Sequence, residues 1–126
     1  MKRKGEEKGM SMLKIRTYNT IATQGLERFS RESYEVASEI ATPDAFVLRS
    51  QNLNNETFPD SLLAIARAGA GTNNVPLERC SENGIVVFNT PGANANAVKE
   101  LVLAGLLLSS RGIVDGMNYV RQMDSS

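Results

Sequence analysis

Ala66-Arg67-Ala68-Gly69-Ala70-Gly71-Thr72-Asn73-Asn74-Val75 and, a short helix's length later, Gly84-Ile85-Val86-Val87-Phe88-Asn89-Thr90-Pro91-Gly92-Ala93-Asn94 decide the reading of this chain. In each segment an apolar stretch runs straight into a polar loop rich in glycine or asparagine. Open parallel sheets bind their ligands at loops on the carboxyl ends of strands. The two segments therefore point to a fold class and a candidate site together.

Working outward, strands are expected at Leu13 to Tyr18, Tyr34 to Ala37, Ala45 to Leu48, Leu62 to Ala66 and Ile85 to Phe88. The first alternates apolar and polar residues as an edge strand does. The run Ala45-Phe46-Val47-Leu48 is continuously apolar, which suits a strand covered on both faces. Helices are expected between them. One runs from Thr23 to Phe29 with Thr23 as cap, a short one lies near Glu56, and one runs from Leu77 to Asn83 behind Pro76 and ahead of Gly84. Alternating strands and helices with short connections predict an α/β layer on a parallel sheet. Ala97 to Arg111 is the longest helix candidate, and Gly112 separates it from a further amphipathic segment. Its apolar core falls short of the ~18–20 residues that span a bilayer, and Lys99-Glu100 stand at its head. It is expected to pack in a core or between domains.

Composition narrows the function classes. The chain has 126 residues and zero formal net charge, so it holds one domain at most and carries no electrostatic footprint for nucleic acid or an anionic membrane. Six of the first nine residues are charged, and residues 1–11 read as a solvated, disordered leader with no apolar h-region. Cys80 is alone, so no disulfide forms within the chain, which suits a cytoplasmic setting. With no histidine to activate it, Cys80 reads as a small packed hydrophobe. The same lack removes the commonest general acid–base, and no Cys/His cluster supports a metal.

Three motifs carry candidate chemistry. Gly69-Ala70-Gly71 follows a strand but fails the dinucleotide fingerprint: the third glycine position is Asn74, and Val75-Pro76 delays the helix. Its backbone N–H groups suit a nest for a carboxylate or phosphate better than a dinucleotide, the alternative being a tight turn without ligand. Arg49-Ser50 ends the Phe46 to Leu48 strand at the same end of the sheet. A guanidinium grips carboxylate or phosphate with two parallel hydrogen bonds, and it also suits a surface salt bridge. Asn94 or Asn96 serves either as a helix cap or as an amide that orients an anion at a helix N-terminus.

Taken in order, Asp44-Ala45-Phe46-Val47-Leu48-Arg49-Ser50, Arg67 to Val75, and Asn89-Thr90-Pro91-Gly92-Ala93-Asn94 with Glu100 resemble the D-2-hydroxyacid dehydrogenases, above all their 3-phosphoglycerate-oxidising branch. The similarity runs from about Leu13 onward and matches the R-A-G-x-G-x-D-N-V and N-T-P-x-x-N motifs. It implies a flavodoxin-like parallel sheet over residues 12–96 as the substrate domain. Residues 97–126 would be a crossover helix and the start of a linker to a nucleotide-binding domain. It implies Arg49 and Ser50 as contacts to a phosphorylated 2-hydroxy acid, with the Gly69 and Ala70 backbone and the Asn94 side chain at its carboxylate. Ala70 would lie near the nicotinamide of NAD, where the family often has Thr, so only packing or backbone contact remains to it. Asn73 stands where the family has Asp. The family's catalytic Arg, Glu and His, and its G-x-G-x-x-G motif, belong to the second domain and have no counterpart here.

The chain is thus expected to be the amino-terminal part of an NAD-dependent oxidoreductase of serine biosynthesis, inactive alone, and either a homo-oligomer or docked to a nucleotide domain. Two other classes stay open: a stand-alone module for small acids, and a non-catalytic partner that docks through its apolar helix.

Overall fold

A computed structural model describes residues 12–123, and the charged leader lies outside them. The elements in chain order are β1 (Leu13–Thr17), α1 (Thr23–Leu26), β2 (Tyr34–Ala37), β3 (Ala45–Leu48), β4 (Ala64–Arg67), α2 (Leu77–Glu82), β5 (Val86–Phe88), α3 (Ala95–Ser110) and α4 (Ile113–Met123). They fall into two compact units, the first ending at Pro91 and the second beginning at Gly92.

In the first unit the five strands form one sheet in the order β2-β1-β3-β4-β5, every pair parallel. This is the flavodoxin-like order, which reverses direction between β1 and β3. Register is set early in each strand. The Lys14 N–H donates to Asp44 Oδ2 at 2.7 Å and the Asp44 N–H donates to Lys14 O at 2.8 Å, so Asp44 aligns β3 against β1. Phe46, Leu48, Leu53, Leu62, Ile65, Val75, Cys80 and Ile85 make the core on one face of the sheet. Each such side chain contributes roughly 1.5–3 kcal/mol by leaving water.

Several expectations need correction. β3 alternates, with Phe46 and Leu48 buried but Ala45 and Val47 half-buried, so its second face is only partly covered, although Ile15 beside Ala45 on that face is buried. β4 starts two residues late. The Leu62 side chain fills the core from the preceding loop, and pairing begins only where Ala64 meets Ala45. α1 is a single turn, and Ala22 rather than Thr23 stands at its N-cap. No helix forms near Glu56. Arg79 Nη2 takes the carbonyls of Leu53 and Glu56 at 2.9 and 2.8 Å, and its guanidinium lies 4.6 Å over the Phe58 ring. The Leu53 carbonyl also accepts the Glu56 N–H at 3.1 Å, so a single turn forms here and does not extend into a helix. α2 ends as expected: Asn83 is its C-cap, and Gly84 follows at φ +69°. That left-handed backbone is one that glycine adopts at no steric cost.

In the second unit α3 begins at Ala95 and α4 at Ile113, with Gly112 between them at φ +60°. Asn94 occupies the N-cap position of α3, with no hydrogen bond from its side chain to the helix. Asn96 is not the cap: its Nδ2 donates to Glu100 Oε1 at 2.8 Å, one turn on. No residue of either helix is buried. Among the described residues no helix is long and apolar enough to cross a membrane.

Candidate anion-binding site at the carboxyl end of the sheet

Because all strands are parallel, the residues that follow them gather at one end of the first unit. Asn19 follows β1, Arg49 and Ser50 follow β3, Ala68 to Gly71 follow β4, and Asn89 and Thr90 follow β5. β1 and β3 flank the point where strand order reverses, the crevice where such sheets bind ligands.

Arg49 and Ser50 are exposed there. Their backbone is fully engaged on the side of Asn19. Asn19 Oδ1 accepts the N–H of Ser50 at 3.0 Å and of Gln51 at 2.9 Å, with a longer bond from Arg49 at 3.4 Å. To aim its amide this way Asn19 adopts φ +65°, a backbone that asparagine tolerates better than most residues. An anion at this edge therefore meets side chains, and the amides of residues 49–51 are already satisfied.

Asn74 holds the same segment from the other side. It is 8% exposed, and its Nδ2 donates to Gln51 O at 2.7 Å and to Arg49 O at 3.4 Å. Its Oδ1 accepts from Arg67 Nε at 3.1 Å, and its backbone O accepts the Leu53 N–H at 2.8 Å. Burial of an amide demands this degree of pairing, since an unpaired one costs roughly 1–3 kcal/mol. Arg67, last in β4, is thereby held with its guanidinium under the glycine loop.

That loop differs from the expected nest. Neither Gly69 nor Gly71 has a left-handed φ, and the Gly69 N–H turns back to Arg67 O at 2.9 Å. Glycine leaves room here for a side chain: a Cβ on Gly69 would strike the end of the Arg67 guanidinium, which would have to shift. The carbonyls of the loop are tied to the chain after β5. The Thr90 N–H donates to Gly69 O at 3.0 Å and Asn89 Nδ2 donates to Ala70 O at 2.8 Å. With its carbonyls turned inward, the loop presents the exposed Ala70 at its surface.

The same geometry tests a dinucleotide. Val75 N–H closes a turn on Thr72 O at 2.9 Å, and α2 begins only at Leu77, behind Pro76. The glycine pair does not open a helix, so it offers no helix N-terminus to a pyrophosphate. The loop does not fit as the main site of NAD.

Of the expected site residues, Arg49, Ser50, Gly69 and Ala70 stand together at the carboxyl end of the first unit, and Asn94 belongs to the second, opening α3. Asn19, Arg67 and Asn74 are not among the site residues the sequence points to, although Arg67 and Asn74 lie within the R-A-G-x-G-x-D-N-V stretch and Asn74 occupies the third-glycine position of the failed fingerprint. A polar residue just after a strand (Asn19) or deep in a turn (Asn74) is the available signal, and it is shared by many ordinary turns.

The chain matches the family model of the D-isomer specific 2-hydroxyacid dehydrogenase catalytic domain over residues 4–119. It is similar to a hydroxypyruvate reductase of Thermotoga maritima, 36% identical over 105 residues, covering 73% of this chain and 34% of the relative. It is also similar to the D-3-phosphoglycerate dehydrogenase of Methanocaldococcus jannaschii, 33% identical over 82 residues, covering 63% and 16% respectively. The D-3-phosphoglycerate dehydrogenase of Escherichia coli K12 is 44% identical over 54 residues, covering 43% and 13%. The chain spans about a third or less of the length of these curated relatives.

Proposed function

The chain belongs to the D-isomer-specific 2-hydroxyacid dehydrogenases, and on that premise we propose that it is the substrate-binding part of an NAD-dependent 3-phosphoglycerate dehydrogenase acting in serine biosynthesis in the cytoplasm. The observation that carries the reading is Arg49, exposed at the sheet's switch point on a backbone tied down from both sides. A guanidinium so placed takes a phosphate or carboxylate with two parallel hydrogen bonds. Ser50 adds a small hydroxyl donor beside it. The Gly69 N–H is already bonded to Arg67 O, so of this loop only the Ala70 backbone is assigned to the carboxylate end of the hydroxy acid, and Ala70 also to packing against the nicotinamide.

Hydride transfer needs substrate, cofactor and a proton acceptor held within near-contact distance. This chain has no histidine, and its glycine loop does not suit a pyrophosphate. Cofactor binding and proton transfer are therefore assigned to a separate nucleotide-binding unit, and the chain by itself is expected to bind substrate without turning it over. The likeness to a hydroxypyruvate reductase favours a second reading inside the same family, an unphosphorylated acid of the same backbone.

Titration of the purified chain with D-3-phosphoglycerate and with D-glycerate separates the two. The phosphorylated acid should bind more tightly. Arg49→Ala should weaken it by one to two decades, since a hydrogen bond to a charged group is worth about 1.5–3 kcal/mol. Arg49→Lys should fall between, keeping the charge but losing the two-pronged geometry. Equal affinity for both acids would move the assignment to the unphosphorylated substrate. Binding indifferent to Arg49→Ala would end the reading of this site. NADH formation by the chain alone would overturn the division of labour.

A further inference from the structure

Resting on that reading of Arg49, we propose that Asn19 and Asn74 are positioning residues that together clamp the peptide segment 49–51 and so preset the reach of the Arg49 side chain toward a phosphate or carboxylate. The two amides use opposite halves of their chemistry. Asn19 presents an acceptor to three consecutive N–H groups, at 3.4, 3.0 and 2.9 Å. Asn74 presents a donor to the two carbonyls at the ends of the same segment, at 3.4 and 2.7 Å. The segment crosses the switch point of the sheet, where no strand partner holds it. Without the clamp it would be an ordinary exposed loop, and a ligand would have to order it on binding.

The clamp also joins two loops. Asn74 sits in the turn after β4 and accepts from Arg67 Nε at 3.1 Å, while Arg67 itself lies beneath Gly69. Asn19 sits after β1, 30 to 32 positions before the segment it holds. Residues from the ends of β1 and β4 therefore hold the segment that carries the guanidinium at the end of β3. Asn74 is the one polar or charged residue that is buried among those described, and burial with both its side-chain nitrogen and oxygen bonded is what keeps it from swinging away. Neither residue is assigned contact with the substrate.

A double-mutant cycle in the full chain tests this. Asn19→Gly removes the acceptor without straining a backbone already at φ +65°. Asn74→Ala removes the donor, and Asn74→Ser is the milder variant if the alanine form does not fold. Each should weaken binding of inorganic phosphate and of D-3-phosphoglycerate by about tenfold, because the ligand must then order the segment. On the Arg49→Ala background the same substitutions should change affinity hardly at all, since they act through the guanidinium. A general loss of structure would instead lower affinity on both backgrounds. Amide order parameters from NMR relaxation should fall at residues 49–51 in either asparagine variant with no ligand present. Full additivity with Arg49→Ala, or order at 49–51 unchanged, would overturn the clamp. If Arg49→Ala binds as the wild type does while the amides loosen as expected, the ligand assignment fails and the positioning role fails with it.

Discussion

At Gly69 the constraint is a neighbour's side chain. A Cβ there would collide with the Arg67 guanidinium, whose Nε is already committed to Asn74 Oδ1 at 3.1 Å. Gly69→Ala pushes the flexible end of the guanidinium aside, and the prediction is that this shift costs the Arg67 Nε bond to Asn74 Oδ1. The expected loss is about 1–3 kcal/mol, read as a lower urea midpoint. Gly71→Ala should cost less, because the nearest atom to its Cβ would be the Asn73 Oδ1 at 3.3 Å, the end of an exposed side chain. Cys80 obeys a different rule. Burial pushes its thiol pKa up, with the Arg79 charge pulling the other way. Tyr18 is raised as well, by burial first, with Arg16 lowering it and Glu56 adding to the rise. A folded pKa above the unfolded one means the native state holds its proton longer. Stability from both groups is then complete below the unfolded values and is lost as pH rises through the folded ones. The urea midpoint should therefore begin to fall above roughly pH 8.5, the ordinary thiol value. Below that pH, alkylation of Cys80 should keep pace with unfolding. Rapid labelling of the native chain would contradict the burial.

At the scale of elements, α2 shows how little local support a short helix needs once its ends are set. It has six residues, no side-chain cap at Pro76, and a stop made by Gly84 at φ +69°. Nothing lies within 4 Å of a Cβ built on Gly84, so Gly84→Ala isolates the backbone term. Holding alanine in the left-handed region costs about 1–2 kcal/mol. Thermal unfolding of this variant should show a drop of that size, and an unchanged midpoint would mean the turn has refolded into another conformation. The loop from Asn52 to Asp60 is the opposite case. Its order comes from elsewhere in the fold: Arg79 Nη2 reaches two of its carbonyls from α2, Asn74 O takes the Leu53 N–H, and the Leu53 side chain is buried in the core.

For the whole molecule the second unit sets the behaviour. Leu101 and Leu106 are 73% and 61% exposed, and Val102, Leu103 and Leu107 are exposed beside them. α4 adds Met117 and Val120 in the same state. Contiguous apolar surface beyond a few hundred Å² is unusual on a monomer that stays monomeric. The purified chain is expected to self-associate as its concentration rises, followed by light scattering. Leu103→Glu with Leu107→Glu, one turn apart on one face of α3, should shift it toward monomer. A monodisperse monomer at every concentration, with no binding of an apolar dye, would remove this expectation.

What the sequence determined by itself is what acts over a few residues. β2 and β3 fall where their apolar runs and the Pro43-Asp44 break place them, and α2 stops at the glycine that permits its C-terminal turn. The parallel α/β sheet followed from the spacing of such segments, and the Arg49 and Gly69 loops followed from their places at strand ends. The tertiary structure alone decided what those loops rest on. Asn74 meets Gln51 across 23 positions, Asn19 meets Ser50 across 31, and Arg79 meets Leu53 across 26. Such pairs exist only after the sheet has chosen its order and register, because each asparagine or arginine has many hydrogen-bond partners within reach of an unfolded chain. Periodicity and turn chemistry are properties of neighbouring residues. Which amide finds which carbonyl is a property of strands brought side by side.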